Sequence, residues 1–475
     1  VNDVKADNFD VNKVYAVLDN HKYGDYQPYI YKSTDKGKTW KSITSNLPDR
    51  TVTWRIVQDH VEKNLLFAAT EYGIYFSINS GGKWTKLNGG VPIISFRDLA
   101  IHKRENDLVG ASFGRGFYVF DDISVFRGLS KKQMADRGTL FPVRKAWWYI
   151  PRSHLGFGDR PKGTQGDGYF TAPNPPFGAV FTYHLGKDLQ SKKAKRKQIE
   201  KAKMDKGKAV GFPGWEAVET ERREMTPRVI FEVKDREGNT VRRVQGPSTK
   251  GFHRVAWDLR YPSPKAVTVE KSSEQGSGFL APPGTYSVTM YAQADGKTTQ
   301  LSETQQFDVV PLRTGALPTK GYSQIADFWR QYEQTVKRAS AVQVTVGNTL
   351  KKIARMQTAL EQSNADVGNL DSRLHDIRSS ILEMDEALSG NRSKMEPGEK
   401  NNPTVGNRLF VVQRVIEYST YGPTATAVEN LSLAQKALDN IHSQLNQNKI
   451  DLDALSRRLT KAGAPWVEGD RIPKK

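Results

Sequence analysis

A pattern that returns every forty-odd residues within the first 130 is the strongest constraint on this chain. Residues 54–84, WRIVQDHVEKNLLFAATEYGIYFSINSGGKW, align with residues 96–126, FRDLAIHKRENDLVGASFGRGFYVFDDISVF. Arg55 falls on Arg97, His60 on His102, Asn64 on Asn106 and Ala69 on Ala111. A partial earlier copy runs from VYAVLD at Val14 to Trp40 and places Ser33 44 residues before Ser77. Each copy consists of short segments rich in Val, Ile, Phe and Tyr, broken by Gly, Asn and Asp, as short antiparallel strands are. Four short strands per copy at this period predict blades of a β-propeller over residues 1–129.

The turns inside the copies carry a second regularity. STDKGKTW holds Ser33, Asp35, Gly37 and Trp40, and SINSGGKW holds Ser77, Asn79, Gly81 and Trp84. Ser and Asp or Asn side chains accept hydrogen bonds from backbone N–H groups in a tight hairpin, and glycine supplies positive φ. Trp then covers the turn. Asn79 can accept such a bond but cannot act as an acid or nucleophile, so the pair of motifs points to pinned turns and not to catalysis. Ser-x-Asp-x-Gly-x-x-Trp resembles the Asp box of bacterial neuraminidase-type repeats. The third copy ends in DDIS instead, and the repeat region closes near Leu129. Fewer than three full copies precede that point, while a closed propeller needs at least about four blades. The expectation is therefore that further blades and a signal peptide lie upstream of Val1.

The 475 residues predict several domains. The chain has no cysteine, which excludes disulfides, thiolate metal sites and cysteine nucleophiles. No apolar run is long enough to span a bilayer. The net charge of +19 draws polyanions, and the densest basic run lies between Lys187 and Lys208. Its candidate polyanion patch is Lys192, Lys193, Lys195, Arg196 and Lys197, although such a run is more often a solvated helix than a nucleic-acid site.

After Leu129 an irregular, Gly- and Pro-rich connection is expected over 130–178. It contains Trp147 and Trp148, which serve either as a ligand-stacking platform or as an interdomain contact. About seven short strands from Ala179 to Leu312 predict an immunoglobulin-like β-sandwich over 179–312. Residues 187–226 form a basic insertion, either a protruding helix or a mobile loop. From Ser323 the apolar residues change to three- and four-residue steps, predicting a helical bundle or hairpin over 320–462, with a free partner coil as the alternative. Thr426 with Glu429 reads as a capping box for its last long helix, whose stripe includes Val428, Leu431, Leu438, Ile441 and Leu445. Residues 463–475 read as a tail.

Asp-box copies, then GFHRVAWD and PPGTY in the sandwich, then a helical region with GPT before its last helix resemble one family. These are large exported bacterial proteins with sortilin-like propellers, often labelled glycosyl hydrolases or BNR-repeat proteins. The resemblance implies export to the periplasm or cell surface and a place in a cell-envelope assembly with protein partners, glycan being possible and nucleic acid not favoured. It implies no cofactor. A glycoside hydrolase requires two placed carboxylates, and a sialidase-like site adds arginines; Arg55, Arg97 and Arg115 are the ligand-facing candidates. The repeat equivalence of Arg55 and Arg97 points instead to a structural role. No metal spacing, Walker, GxSxG or dinucleotide pattern stands out. The expectation is a binding or scaffold protein, with a hydrolase whose site lies mostly in upstream blades as the alternative and polyanion binding as the second.

Overall fold

The computed structural model describes residues 1–151, 168, 170, 172–268, 277–313, 321–364, 369–470 and 472. Three antiparallel sheets come first. β1 (Asp3–Ala6), β2 (Val14–Asn20), β3 (Asp25–Ser33) and β4 (Lys41–Ser42) pair in chain order. The second sheet repeats the plan with β5 (Thr53–Gln58), β6 (Leu66–Thr70), β7 (Gly73–Ser77) and β8 (Thr85–Lys86). β9 (Phe96–His102), β10 (Asp107–Ser112) and β11 (Phe117–Phe120) make a third sheet of three strands.

Strand alternation explains why these sheets stack. Leu66 and Ala68 of β6 join Tyr15, Val17 and Ile30 of the first sheet in one core, whereas Leu65, Phe67 and Ala69 join Phe96, Leu99 and Leu108 in another. The middle sheet is thus buried on both faces, as its near-continuous apolar run LLFAAT requires. Register makes the repeat explicit: Ile56 pairs with Ala68 in the second sheet, and Val4 pairs with Ala16 in the first. Ile56 is 1% exposed against the first sheet, while its counterpart Val4, on the outermost face, is 59% exposed.

The next segment departs from the expected irregular connection. It contains helix α1 (Lys131–Ala135) and strands β12 (Thr139–Leu140) and β13 (Ala146–Trp148). One sheet is β12, β14 (Ala179–Leu185) and β17 (Gly251–Trp257). The facing sheet runs β13, β22 (Gln305–Pro311), β20 (Gly284–Ala294), β15 (Arg228–Lys234) and β16 (Thr240–Gly246), with β21 (Lys297–Gln300) also on β20. Phe181 of β14 packs on Phe231 of β15 and Phe307 of β22, and Trp257 packs on Tyr286, so aromatic side chains from both sheets fill the space between them. β13 is parallel to β22, unlike the rest. A further hairpin, β18 (Arg260–Pro262) with β19 (Ser277–Leu280), leads toward the helices. The basic insertion holds two helices instead of one, α2 (Lys192–Met204) and α3 (Trp215–Arg223).

Among the described residues five helices follow: α4 (Tyr322–Glu361), α5 (Asn369–Ser389), α6 (Arg392–Met395), α7 (Val405–Tyr418) and α8 (Ala425–Lys461). Their apolar stripes bury one another: Ile353, Ile381, Val412 and Leu438 are fully buried within one continuous core. The same core includes the facing sheets, with Trp329 of α4 against Phe279 of β19. Two expectations are corrected. Thr424, not Thr426, caps α8, accepting from the Ala427 N–H, and this phase leaves Val428 48% exposed while Ala427 and Leu431 are buried. The segment read as a tail is docked in its described part: Val467 is buried, and Asp470 accepts from Ser456 and pairs with Lys352 at 2.7 Å.

Candidate binding face

The two pinned turns are built alike. Ser33 Oγ donates to Asp35 Oδ1 at 2.7 Å and accepts from the Gly37 N–H, and Asp35 accepts from the Thr39 N–H and hydroxyl. Ser77 Oγ donates to Asn79 Oδ1 at 2.9 Å and accepts from the Gly81 N–H, and Asn79 accepts from the Lys83 N–H. Lys36–Gly37 and Ser80–Gly81 both have positive φ. A Cβ on Gly81 would meet Ile43 at 2.8 Å, so this position tolerates no side chain. Trp40 covers its own turn through Nε1 to the Gly37 carbonyl and stays partly exposed. Trp84 donates to the Ile43 carbonyl and is buried between the first two sheets. A further bond that sequence reasoning missed ties each of these loops to its neighbour: the carbonyls of Asn12, Asn64 and Asn106 accept from the Lys36, Ser80 and Ile123 N–H groups.

These turns follow β3 and β7. The loops that precede the same strands therefore lie at the opposite end of the sheets, and there a different surface is assembled. His21 meets Trp54 edge to face at 5.6 Å, the Arg97 guanidinium sits 3.7 Å over the Trp54 ring, and the same guanidinium lies 5.1 Å from the Phe113 ring. This strip crosses all three sheets. Glu71 fixes it, accepting from Trp54 Nε1 and Ser95 Oγ at 2.9 Å each and standing 3.6 Å from Arg97. Tyr23 (87% exposed), Phe113 (72%) and Phe117 (78%) project around it. Arg115 is exposed at the tip of the β10–β11 loop, between Gly114 and Gly116, both of positive φ.

The sequence candidates divide accordingly. Arg55 is consumed by the sheets, donating to the Asn2 carbonyl and pairing with Asp3 and Asp98. Arg97 also reaches back to the preceding sheet, over Trp54, and its side chain stays 40% exposed beside Phe113. Trp148 is not ligand-facing: it is buried, and its Nε1 donates to the Ala281 carbonyl. Trp147 is half-buried at the junction with the third sheet, donating to Glu105, which Arg144 also approaches at 3.6 Å. Arg196 is bound by Glu200 and Glu221, whereas Lys192, Lys193, Lys195 and Lys197 are exposed. The aromatic loop residues escaped sequence reasoning because Tyr23, Tyr72 and Phe113, exposed in the loops before β3, β7 and β11, sit one per copy with no local motif.

Chemically the strip offers ring faces and a guanidinium, the groups that stack on sugar rings or on aromatic and anionic peptide side chains. Its carboxylates are engaged, Glu71 by two hydrogen-bond donors and the Arg97 guanidinium, and Asp98 by Arg55. Among the described residues no three His, Asp or Glu side chains converge to hold a metal ion, and no helix is long and apolar enough to cross a membrane. A separate cleft of about 1050 Å³ lies between α4, α7 and the β18–β19 hairpin, lined by Arg260, Tyr332, Glu333, Phe410 and Glu417. Burial pushes the Glu333 carboxyl up and the Tyr332 phenol up to about 12.

The molecule thus combines several β-sheets with a C-terminal helical region and carries an aromatic surface at one end of its stacked sheets. No protein-family model matches it, and no curated protein does. Among solved structures it is similar to PorZ, a surface component of the type-IX secretion system of Porphyromonas gingivalis (13% identity, TM-score 0.19), over 63% of this chain and 29% of that one. An ancestral GH74 enzyme matches at 12% identity and TM-score 0.21, over 66% and 39%. The extracellular domain of a putative one-component system from B. thetaiotaomicron matches at 11% and 0.17, over 62% and 31%. The chain spans well under half the length of each.

Proposed function

We propose that the three stacked sheets are consecutive blades of an Asp-box β-propeller, that the two facing sheets form an immunoglobulin-like domain, and that the chain is the binding or scaffold part of an exported protein in a cell-envelope assembly. The observation that supports this reading is the strip His21, Trp54, Arg97 and Phe113, which is continuous across three sheets and rimmed by exposed aromatics. Isolated exposed aromatics are ordinary, but a contiguous rim marks an interaction surface. Its ligand is a glycan or a protein segment that stacks on these rings.

The test is a panel of envelope glycans and purified envelope proteins, read by biolayer interferometry for the parent and for Phe113→Ala and Arg115→Ala. Both side chains are exposed, so both variants keep the fold. A ligand that binds the parent and is weakened about threefold to tenfold by each change supports the face. Ligand binding indifferent to both changes removes this face from the proposal.

A further inference from the structure

The helical hairpin between β14 and β15 is built unlike the rest of the molecule. Neither α2 nor α3 contains a buried residue. The hairpin is held together by Arg196, which donates to both oxygens of Glu221 at 2.6 and 2.8 Å, and is closed at its base by the Lys192 N–H to Glu224. Every residue from 201 to 213 is exposed. The far end therefore stands away from any core, yet it carries Met204 (65% exposed), Phe212 (62%) and Trp215 (79%). Phe212 and Trp215 pack edge to face at 4.9 Å, which gives the tip a defined aromatic wedge.

Around this wedge stand Lys201, Lys203, Lys206 and Lys208, none paired with a carboxylate among the described residues, against one aspartate, Asp205, within the tip and Glu216 just beyond it. Three surfaces attract such a group, and composition separates them. Protein interfaces are enriched in Arg and depleted of Lys. Single-stranded nucleic acid is gripped by aromatics lining a groove, whereas these rings are bunched on a convex tip. An anionic bilayer fits both halves: Trp and Phe settle at the headgroup level, and long lysine side chains keep their ammonium groups at the phosphate plane while their stems stay in apolar surroundings.

We propose that the α2–α3 hairpin is a peripheral membrane anchor that inserts Phe212 and Trp215 between anionic lipid headgroups, with its lysine collar supplying the charge attraction. The proposal is independent of what the stacked sheets bind. Its test is co-sedimentation of the full chain with phosphatidylcholine vesicles, with and without phosphatidylglycerol as about a third of the lipid. The parent is expected to bind the mixed vesicles, to bind pure phosphatidylcholine at least about tenfold more weakly, and to be released by salt. The double variant Phe212→Ser with Trp215→Ser, whose side chains touch no core, is expected to lose about tenfold or more on mixed vesicles. Quenching of Trp fluorescence by brominated lipid in the parent, absent in Trp215→Phe, places the ring in the bilayer. Equal binding by parent and double variant, or absence of vesicle binding, overturns the proposal. Tight binding to heparin or a DNA oligonucleotide, with vesicle binding unaffected by the aromatic changes, also overturns it and assigns the lysines to a soluble polyanion.

Discussion

At the scale of single residues the paired turns show how much one side chain determines. Hydrogen bonds from the Thr39 hydroxyl and N–H and from Ser33 hold the Asp35 carboxyl at about 2, below its ordinary 3.8. A depressed acid stabilises the fold at pH above its unfolded value, and that contribution fades as pH falls from about 4 toward 2. Asp35→Asn, which copies the arrangement at Asn79, keeps an acceptor for the Thr39 N–H and has no charge to lose. The denaturation midpoint of this variant, relative to the parent, is expected to rise as pH falls through that window in urea titrations; a constant difference between the two contradicts the account. Asp59 shows the same direction from a buried position. Burial alone raises its carboxyl, but the Arg127 fork at 2.8 and 3.0 Å and the N–H groups of Glu62 and Val61 outweigh burial and lower it. Arg127→Ala leaves that charge buried and unpaired and is expected to cost about 3–5 kcal/mol in chemical denaturation. The Ser, Asp or Asn, Gly and Trp positions of the turns were legible in the sequence because their chemistry is local. Asp59 with Arg127, and Trp54 with Arg97 and Glu71, were not, since each is made by residues that the chain brings together only by stacking one sheet on another.

At the scale of elements, strands of five or more residues with clear alternation were legible, and so were the long helices, whose stripes run through many turns. The failures were short. β13 has only three residues, too few to display a period; it pairs parallel with β22, and its Trp148 donates to the Ala281 carbonyl. The α8 cap was misplaced because Thr-x-x-Glu fits Thr426, whereas Thr424, directly after Pro423, has Ala427 at its third helical position and caps through the hydroxyl alone. Stacking also yields a test of the repeat. Ile56 and Val4 occupy the same place in successive sheets, one covered and the other open. Ile56→Ala is expected to cost about 2–5 kcal/mol, and Val4→Ala less than about 0.5 kcal/mol, in guanidinium titrations of this 475-residue chain. A large loss at Val4 in a longer form of the protein, set beside a small one here, would show that another sheet covers this face.

At the scale of the whole molecule, the division of the core decides how the parts cooperate. The facing sheets and the helices share one hydrophobic cluster that runs from Leu140 to Val467, whereas the stacked sheets hold two clusters of their own. The contacts joining these regions are largely polar: Arg254 donates to the carbonyls of Asp121 and Asp122, Arg144 donates to the Glu105 carbonyl, and Trp147 donates to the Glu105 carboxylate. Polar junctions of this kind transmit little cooperativity compared with a shared apolar core. Calorimetry is therefore expected to resolve two transitions, one for the stacked sheets and one in which the facing sheets melt together with the helices. Trp329, 2% exposed in α4 and packed on Phe279 of β19, lies within the shared core. Trp329→Ala is expected to cost about 3–5 kcal/mol and to lower the transition that carries the loss of helical circular dichroism, leaving the other in place. If the helices instead melted alone after this change, with the facing sheets unaffected, the shared core would not be the unit that folds.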